Sequence, residues 1–489
     1  MKFFIQFFLC GILTGLLFPP FFLIPLGFII FPYLFTLLKH KEYLLFNYRR
    51  HFLSGFFYGL GFFYIYLGWI KEPFLHDNLT KNFAVLSYFL VVYCSLYFGF
   101  IFLILKYFNQ TINKLIMFPV LIITGEFFCA NLSFGFPWFS FSLVHSGNIF
   151  GLSTIFFLGT YGLSFITIFI FLLPSIFLLN NSKLKKIFYV IVFIFLINLF
   201  LLIIFRNKEI DSSYNEELNV SLVQLNFPIG QKLSLEQSRI RLDYILDIIK
   251  INNSDILIFG ENNYPFIIDN FNNLIYFQRL LKPKTNLIIG ATRKDKDKYY
   301  NSLFLINKKK IEKFDKQILV PFGEFVPFRK FFSFMEFIAG TTDFSVGNDK
   351  RNLDLNNNNK FIPIICYEII YFWKLLNTYN HDSDFIINLT NDSWFGKLSG
   401  PYQHFYFTRL RAAEFNKYLI RVSNNGISAI INNYGHIIDF IELEKQKTKT
   451  IKISISNNKT NNIKMHQIIT LLIFLTLIIG ILLEKKNDS

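Results

Sequence analysis

Three residues far apart in the chain have the types needed for covalent acyl transfer. Glu261 follows the apolar run Asp255–Phe259, Lys316 precedes Gln317-Ile318-Leu319-Val320-Pro321-Phe322-Gly323-Glu324, and Cys366 follows Phe361–Ile365 and precedes Tyr367-Glu368. A thiol forms the covalent bond, a carboxylate takes its proton, and an ammonium steadies the negative charge that develops. A strand-to-helix turn at Cys366 is expected to expose the sulfur and aim backbone N–H groups at it, lowering the thiol pKa and supplying an oxyanion hole. Each residue also has a plain reading alone: a core cysteine after an apolar strand, a loop carboxylate, a solvated lysine. Their spacing excludes a local motif, so only the fold can bring them together.

Other chemistries lack their residues. Cys10, Cys94 and Cys129 lie in apolar segments, where they read as small buried hydrophobes, and no C-x-x-C occurs. H-E-x-x-H, the P-loop pattern and a meaningful G-x-G-x-x-G are absent, and the eight His show no metal-ligand spacing. No metal and no cofactor are expected.

The elements that must position these residues fall into two kinds. The 489 residues are 53% hydrophobic, with 66 Phe, and the net charge is +16. The basic residues do not form one patch interleaved with exposed aromatics, so basic loops of a membrane protein explain the charge better than nucleic-acid binding. Apolar runs near 3–18, 21–38, 52–70, 84–105, 115–130, 152–179, 187–205 and 467–484 are expected to be eight spans. Lys39, Lys41, Arg49, Arg50, Lys106, Lys114, Lys183, Lys185, Lys186 and the Lys485-Lys486 tail flank alternate loops. By the positive-inside rule these loops are cytoplasmic. Residues from about 207 to 465 then lie on the far side, which is the periplasm in a Gram-negative cell. Glu126 within the fifth span, and Trp138 and His145 in a far-side loop, read either as packing groups or as substrate contacts.

Composition shifts near Arg206. A linker is expected over 207–218, an extramembrane domain over 219–460 and a trailing transmembrane helix over 466–485, after a seven-span domain over 1–206. Short apolar runs at 219–225, 255–259, 286–290, 301–306, 361–365, 384–389, 419–423 and 427–432 read as strands, with helices at 234–252 and 401–416. That alternation predicts an α/β layered domain. Tyr300–Ile306 and Ile311–Phe314 predict a hairpin about Asn307-Lys308-Lys309-Lys310, and Asn352 with Asn356–Asn359 predicts a surface loop. The Phe-rich segment from Arg329 to Gly347 reads either as a core helix or as an apolar arm that meets the bilayer and admits lipid.

Longer blocks carry a resemblance. Asp315 to Pro327, Cys366-Tyr367-Glu368, Asn388 to Gly396, Gly400 to His404, Arg409 to Glu414 and Arg421 to Ser428 resemble the nitrilase, or carbon–nitrogen hydrolase, superfamily. With Gly135-Phe136-Pro137-Trp138 and the pattern of spans, the likeness is closer to the apolipoprotein N-acyltransferase family. That resemblance implies a multi-pass α-helical bundle plus a nitrilase-like α-β-β-α sandwich. It implies Glu261 as general base, Lys316 as oxyanion stabiliser, Cys366 as nucleophile, Glu324 as a further active-site carboxylate, and Tyr367, Glu368 and Trp394 as supporting or substrate-binding residues. The implied acyl donor is a phospholipid, and the implied acceptor is a diacylglyceryl-modified apolipoprotein at the bacterial inner membrane. Alternatives from the residues themselves are a membrane-tethered amidase with the same triad, or a scaffold or transporter with an inactive domain. Two positions depart from the family: Phe259-Gly260 stands where Trp-Pro is usual before the Glu, and Leu233 stands near a usual Trp.

Overall fold

The computed structural model describes all residues except 77, 79, 133–134, 179–181, 209–215, 230–232, 332–341, 356–358, 373, 376–381, 456–461 and 489. The chain divides into two compact units, Met1–Lys71 with Val85–Asp211 and Asn462–Ser489, and Glu72–Ala84 with Ser212–Asn461.

The first unit is helical. Among the described residues, five helices are long and apolar enough to cross a membrane: Lys81–Leu105, Thr111–Asn131, Ile149–Phe177, Lys185–Ile204 and Ile463–Lys485. A sixth counts if Tyr48–Tyr66 is taken with the bent helical piece that follows it. The first two expected spans are shorter apolar helices, Lys2–Gly15 and Ile24–Lys39. At 1.5 Å per residue, the 14-residue helix Lys2–Gly15 falls short of a hydrocarbon core about 30 Å thick. Glu126 serves packing here. Its carboxylate accepts from the Phe141 backbone N–H at 2.7 Å and faces the Ser140 hydroxyl at 3.4 Å, tying the helix to the turn that follows Trp138. Trp138 is fully buried, its ring 4.5 Å from that of Trp69 and its carbonyl bonded by the Tyr66 hydroxyl at 2.7 Å. His145 pairs locally with the side chain of Asn148.

The second unit is built on two six-stranded sheets. The strands are β1 (Glu216–Gln224), β2 (Ile256–Phe259), β3 (Asn286–Asp295), β4 (Lys298–Ile306), β5 (Ile311–Asp315), β6 (Leu353–Asp354), β7 (Lys360–Ile365), β8 (Phe385–Thr390), β9 (Tyr418–Ser423), β10 (Ser428–Ile431), β11 (Ile437–Ile441) and β12 (Lys447–Ile455). One sheet has the order β12-β1-β2-β3-β4-β5 and the other β11-β10-β9-β8-β7-β6. At the heart of each, three strands run parallel, β1-β2-β3 and β7-β8-β9, with antiparallel strands at the flanks. Parallel strands are buried on both faces, and every residue of β2, β8 and β9 is buried; β2 is wholly apolar, while β8 and β9 are mostly so. Helix Leu235–Ile251, started by a Ser234–Gln237 capping box, packs Ile245, Ile248 and Ile249 against Val223, Leu257 and Phe259. Helix Ser399–Phe415 covers the other sheet. The layers are therefore α-β-β-α, as expected.

The eight expected strands are all present. Further elements with a weaker signal among the described residues include β6, β11, β12 and the short helix Ile275–Leu280. The hairpin forms as read, with Asn307 Oδ1 accepting from the N–H groups of Lys309 and Lys310 at 3.0 Å. The expected linker 207–218 is shorter, because a helix runs to Lys208 and β1 begins at Glu216. The stretch Glu72–Ala84, read as part of the spanning domain, clusters with the second unit. Phe74 and Thr80 are buried there, and His76 Nε2 lies 2.8 Å from the Ser393 carbonyl. Most of the Phe-rich arm between Arg329 and Gly347 lies outside the described residues, as do Asn356 to Asn358.

The carboxyl ends of β2, β8 and β9 meet at one place. Thr390 O, at the end of β8, accepts from the N–H of Glu261 at 3.3 Å and of Asn424 at 3.0 Å. Asn263 Nδ2 bonds Asn424 Oδ1 at 3.1 Å, joining one sheet's loop to the other's. Gly260 is required by this junction. A Cβ there would lie 2.7 Å from the backbone nitrogen of Asn424, so the departure from the family's usual Pro is accommodated by close backbone packing.

Candidate active site

Glu261 leaves the end of β2, Lys316 follows β5, and Cys366 follows β7. The structure brings all three together, and each side chain is buried: 6%, 1% and 5% exposed. Lys316 Nζ lies 3.6 Å from Glu261 Oε1 and donates to Glu324 Oε1 at 2.8 Å. The Cys366 thiol lies close enough to the Glu261 carboxylate for each to act on the other's charge. Glu324 is held in turn by the Val320 backbone N–H, 2.8 Å from Oε2.

Cys366 itself is backbone-strained. Its φ of +50° is in the left-handed region, which a non-glycine residue rarely adopts. Two groups fix this turn. Glu368 accepts at Oε2 from the Ile365 N–H at 2.8 Å and from Arg351 Nη1 at 3.0 Å. Its Oε1 accepts from the N–H of Gln317 at 2.9 Å, of Ile318 at 3.1 Å and from Arg351 Nη2 at 2.8 Å. One carboxylate thus ties the strand end before Cys366 to the residues after Lys316. On the other side, His404 Nε2 lies 3.3 Å from the Cys366 carbonyl. His404 Nδ1 is 2.8 Å from Asp392 Oδ1, and Arg421 Nη2 donates to Asp392 Oδ2 at 2.6 Å.

The electrostatics follow from burial. Desolvation pushes the Cys366 thiol pKa up, Glu261 and Asp392 add to this, and Lys316 and Thr390 only partly offset it. The expectation of an exposed sulfur with a lowered pKa is therefore wrong. The turn at Cys366 is a five-residue 3-10 helix sealed within the domain, and the cost of burying a thiolate exceeds the pull of one ammonium. Burial also raises the Glu261 pKa, with Glu324 adding to it, against Lys316, Asn301 and the thiol. Burial works against the Lys316 cation, yet Glu324 and Glu261 outweigh it and hold its pKa above the ordinary lysine value. Glu368 is likewise held ionised, because Arg351 outweighs the burial cost. Burial and the neighbouring carboxylates thus favour the neutral form of the thiol, while Lys316 favours the ionised form of Glu261 beside it.

Of the remaining expected residues, Tyr367 is buried, with its hydroxyl accepting from that of Tyr371 at 3.4 Å. Trp394 sits on the turn Asp392–Phe395, 40% exposed, with its ring edge-on to His76 at 5.6 Å. Sequence reasoning assigned no role to Asn301, Arg351, Asp392, His404 or Arg421. Asp392, His404 and Arg421 lay inside the quoted blocks, whereas Asn301 and Arg351 have no sequence signal apart from the strand register. Among the described residues, no group of three or more His, Cys, Asp or Glu could hold a metal ion.

Comparison with known proteins bears on this arrangement. Residues 10–173 match the family described as apolipoprotein N-acyltransferase N-terminal domain, and residues 279–464 match carbon-nitrogen hydrolase. The apolipoprotein N-acyltransferase of Rickettsia typhi is 30% identical over 463 residues, covering 90% of this chain and 89% of the relative. The chain belongs to the apolipoprotein N-acyltransferase family. The Wigglesworthia glossinidia brevipalpis relative of the same name is 31% identical over 414 residues, covering 78% of this chain and 79% of its own. Among solved structures, a CN-hydrolase superfamily protein from Xanthomonas campestris is 15% identical, covering 49% of this chain and 91% of its own, with a TM-score of 0.38.

Proposed function

We propose that this chain transfers an acyl group from a phospholipid to the N-terminal amine of a diacylglyceryl-cysteine on an apolipoprotein, through a thioester on Cys366. The observation that carries the reading is the buried meeting of Cys366, Glu261 and Lys316 in a chain of this family. Glu261 takes the thiol proton as sulfur attacks the carbonyl carbon of the phospholipid ester. Lys316 stabilises the tetrahedral oxyanion. The ester C–O bond then breaks, the lysophospholipid oxygen leaves with the proton returned by Glu261, and a thioester remains. In the second half the acceptor amine attacks that thioester, Glu261 takes the amine proton, and the C–S bond breaks. Proton return to sulfur restores the thiol and leaves an amide. Burial serves both halves, since water in the site would hydrolyse the thioester.

The basic residues Lys39, Lys41, Arg49, Arg50, Lys106 and Lys114 support a cytoplasmic face for their loops and a periplasmic catalytic unit in an inner membrane. Glu324, Tyr367, Glu368 and Trp394 support the site or its substrates in this reading.

Intact-protein mass spectrometry after incubation with phospholipid alone tests it. Wild type gains one acyl mass, mapped to Cys366, and Cys366→Ala gains none. Acylation of Cys366→Ala would remove the covalent mechanism. Acyl loss to water without any response to an amine acceptor would make the chain an amidase-type hydrolase.

A further inference from the structure

Glu261 and Glu324 share their donors. Lys316 reaches both, at 3.6 and 2.8 Å, and so does the side-chain amide of Asn301. Asn301 Nδ2 donates to Glu261 Oε1 at 2.7 Å and to Glu324 Oε1 at 2.9 Å. An amide nitrogen carries two hydrogens, so it gives one to each carboxylate. The placement comes from strand register. β4 pairs with β5 up to Ser302–Asp315, and the Lys316 N–H bonds the Asn301 carbonyl at 2.8 Å, making the two residues the next pair of the ladder. Their side chains therefore reach the carboxylates side by side.

The orientation of this amide has a cost. Asn301 is 2% exposed, and its Oδ1 is buried with no hydrogen-bond partner among the described residues. A buried acceptor is seldom left unpaired. Turning the amide over would aim Oδ1 at two carboxylates, so the demand for both N–H groups fixes the side chain as observed.

Two carboxylates gathered on the same two donors repel each other and favour taking up a proton, and a single lysine cation balances only one negative charge. A shared proton would leave Glu261 unable to accept one from sulfur. Asn301 adds hydrogen bonds without adding charge. We infer that Asn301 is a positioning residue that keeps Glu261 and Glu324 as two separately bonded carboxylates and preserves Glu261 as the proton acceptor for Cys366. The inference rests on the roles proposed above for Glu261 and Cys366. The charged and titratable groups around Glu261 are Lys316 after β5, Glu324 in the turn Pro321–Phe325 and Cys366 after β7, while Asp392 acts on Cys366 from the turn after β8.

The test is single-turnover acylation of the full-length protein in mixed micelles of phosphatidylethanolamine, read by intact mass between pH 6 and pH 9. Asn301→Leu keeps the volume and removes both donors. It should slow acylation by about tenfold at pH 6, the value of one lost hydrogen bond to a charged group, and come within about threefold of wild type at pH 9. Asn301→Asp keeps the shape, adds a third carboxylate, and should be slow throughout. Adding Glu324→Gln to Asn301→Leu should abolish the acid-side defect relative to Glu324→Gln alone. An equal slowing of Asn301→Leu at both pH values would make Asn301 a structural prop only and overturn the inference, as would no slowing. If the leucine variant does not fold, Asn301→Ser, with one donor, is read by the same criterion. Failure of wild type to acylate Cys366 would instead defeat the function on which the inference rests.

Discussion

Replacing Glu368 by Gln should damage the catalytic unit more than its distance from the chemistry suggests. The carboxylate is fully buried and accepts five hydrogen bonds, three at Oε1 and two at Oε2. Gln offers one acceptor oxygen and one NH2 group. Its better orientation keeps oxygen at the Oε1 site and sets NH2 against the Ile365 N–H and Arg351 Nη1, so two buried donors lose their acceptor. Each such loss costs about 1–3 kcal/mol. The Arg351 cation also loses its buried counter-charge, and breaking such a pair costs about 3–5 kcal/mol. These terms overlap, so the expected loss is about 3–5 kcal/mol, a large part of a domain's usual margin of about 5–15 kcal/mol. For a unit of this size that is a fall of roughly 6–20 °C in Tm. Thermal unfolding of the full-length protein in detergent measures it. Glu368→Gln combined with Arg351→Met removes the stranded cation as well. That double variant should be at least about 2 kcal/mol more stable than the sum of the two single losses implies. Additive losses would refute the claim that these groups act as one buried pair. Normal acylation in a folded Glu368→Gln would refute its role in setting the turn at Cys366.

Other outcomes follow from the same geometry. Glu261→Gln, which loses the base, and Lys316→Met, which loses the oxyanion charge, should each slow single-turnover acylation by at least about a hundredfold; a normal rate in either would cancel that residue's role. Asp392 is held down to about 2 because Arg421 and His404 overcome its burial. A carboxylate with a depressed folded pKa adds stability above its unfolded pKa, here near 4, and loses it as pH falls toward 2. Wild type should therefore lose about 2 kcal/mol across that window and Asp392→Asn should not, as acid titration of the unfolding transition will show. A reporter fused after residue 215 should respond as periplasmic, and one placed between Lys39 and Arg50 as cytoplasmic; the opposite pattern would overturn the orientation.

The sequence made the strands of the catalytic unit legible because parallel strands buried on both faces are rich in apolar residues, as Ile256–Phe259 and the Phe385–Ile387 start of β8 are. β12 was passed over because Lys447, Lys449 and Lys452 dominate its composition, although Ile451 and Ile453 alternate inward. The meeting of Glu261, Lys316 and Cys366 was legible through the blocks around Lys316 and Cys366 and through the strand-end position of Glu261. The depth of the thiol was not, because the apolar run before Cys366 marks a strand's end without fixing how the sheets close over it. Asn301 was hidden for a related reason. Tyr300-Asn301-Ser302 reads as ordinary strand, and the residue gains its task only when the ladder sets it beside Lys316. Arg351 follows a polar stretch and precedes an Asn-rich one, so nothing local distinguishes it from a solvated arginine.

The pairing of β1 with β12 has a consequence for how the unit can be joined to other segments. Glu216 and Ile455 are register partners, so the chain enters and leaves the sandwich through neighbouring strands at one edge. A sandwich with this sheet order can be tethered at both ends of its chain without any change to its internal connections. The sandwich is nevertheless not continuous in sequence. Glu72–Ala84, encoded far upstream, has become part of the sandwich, with His76 against the Ser393 carbonyl and the Trp394 ring. A gene fragment spanning only the sandwich would omit that graft and uncover the turn that carries Trp394. Domain exchange between relatives would therefore have to carry the upstream graft together with the sandwich it has come to fit.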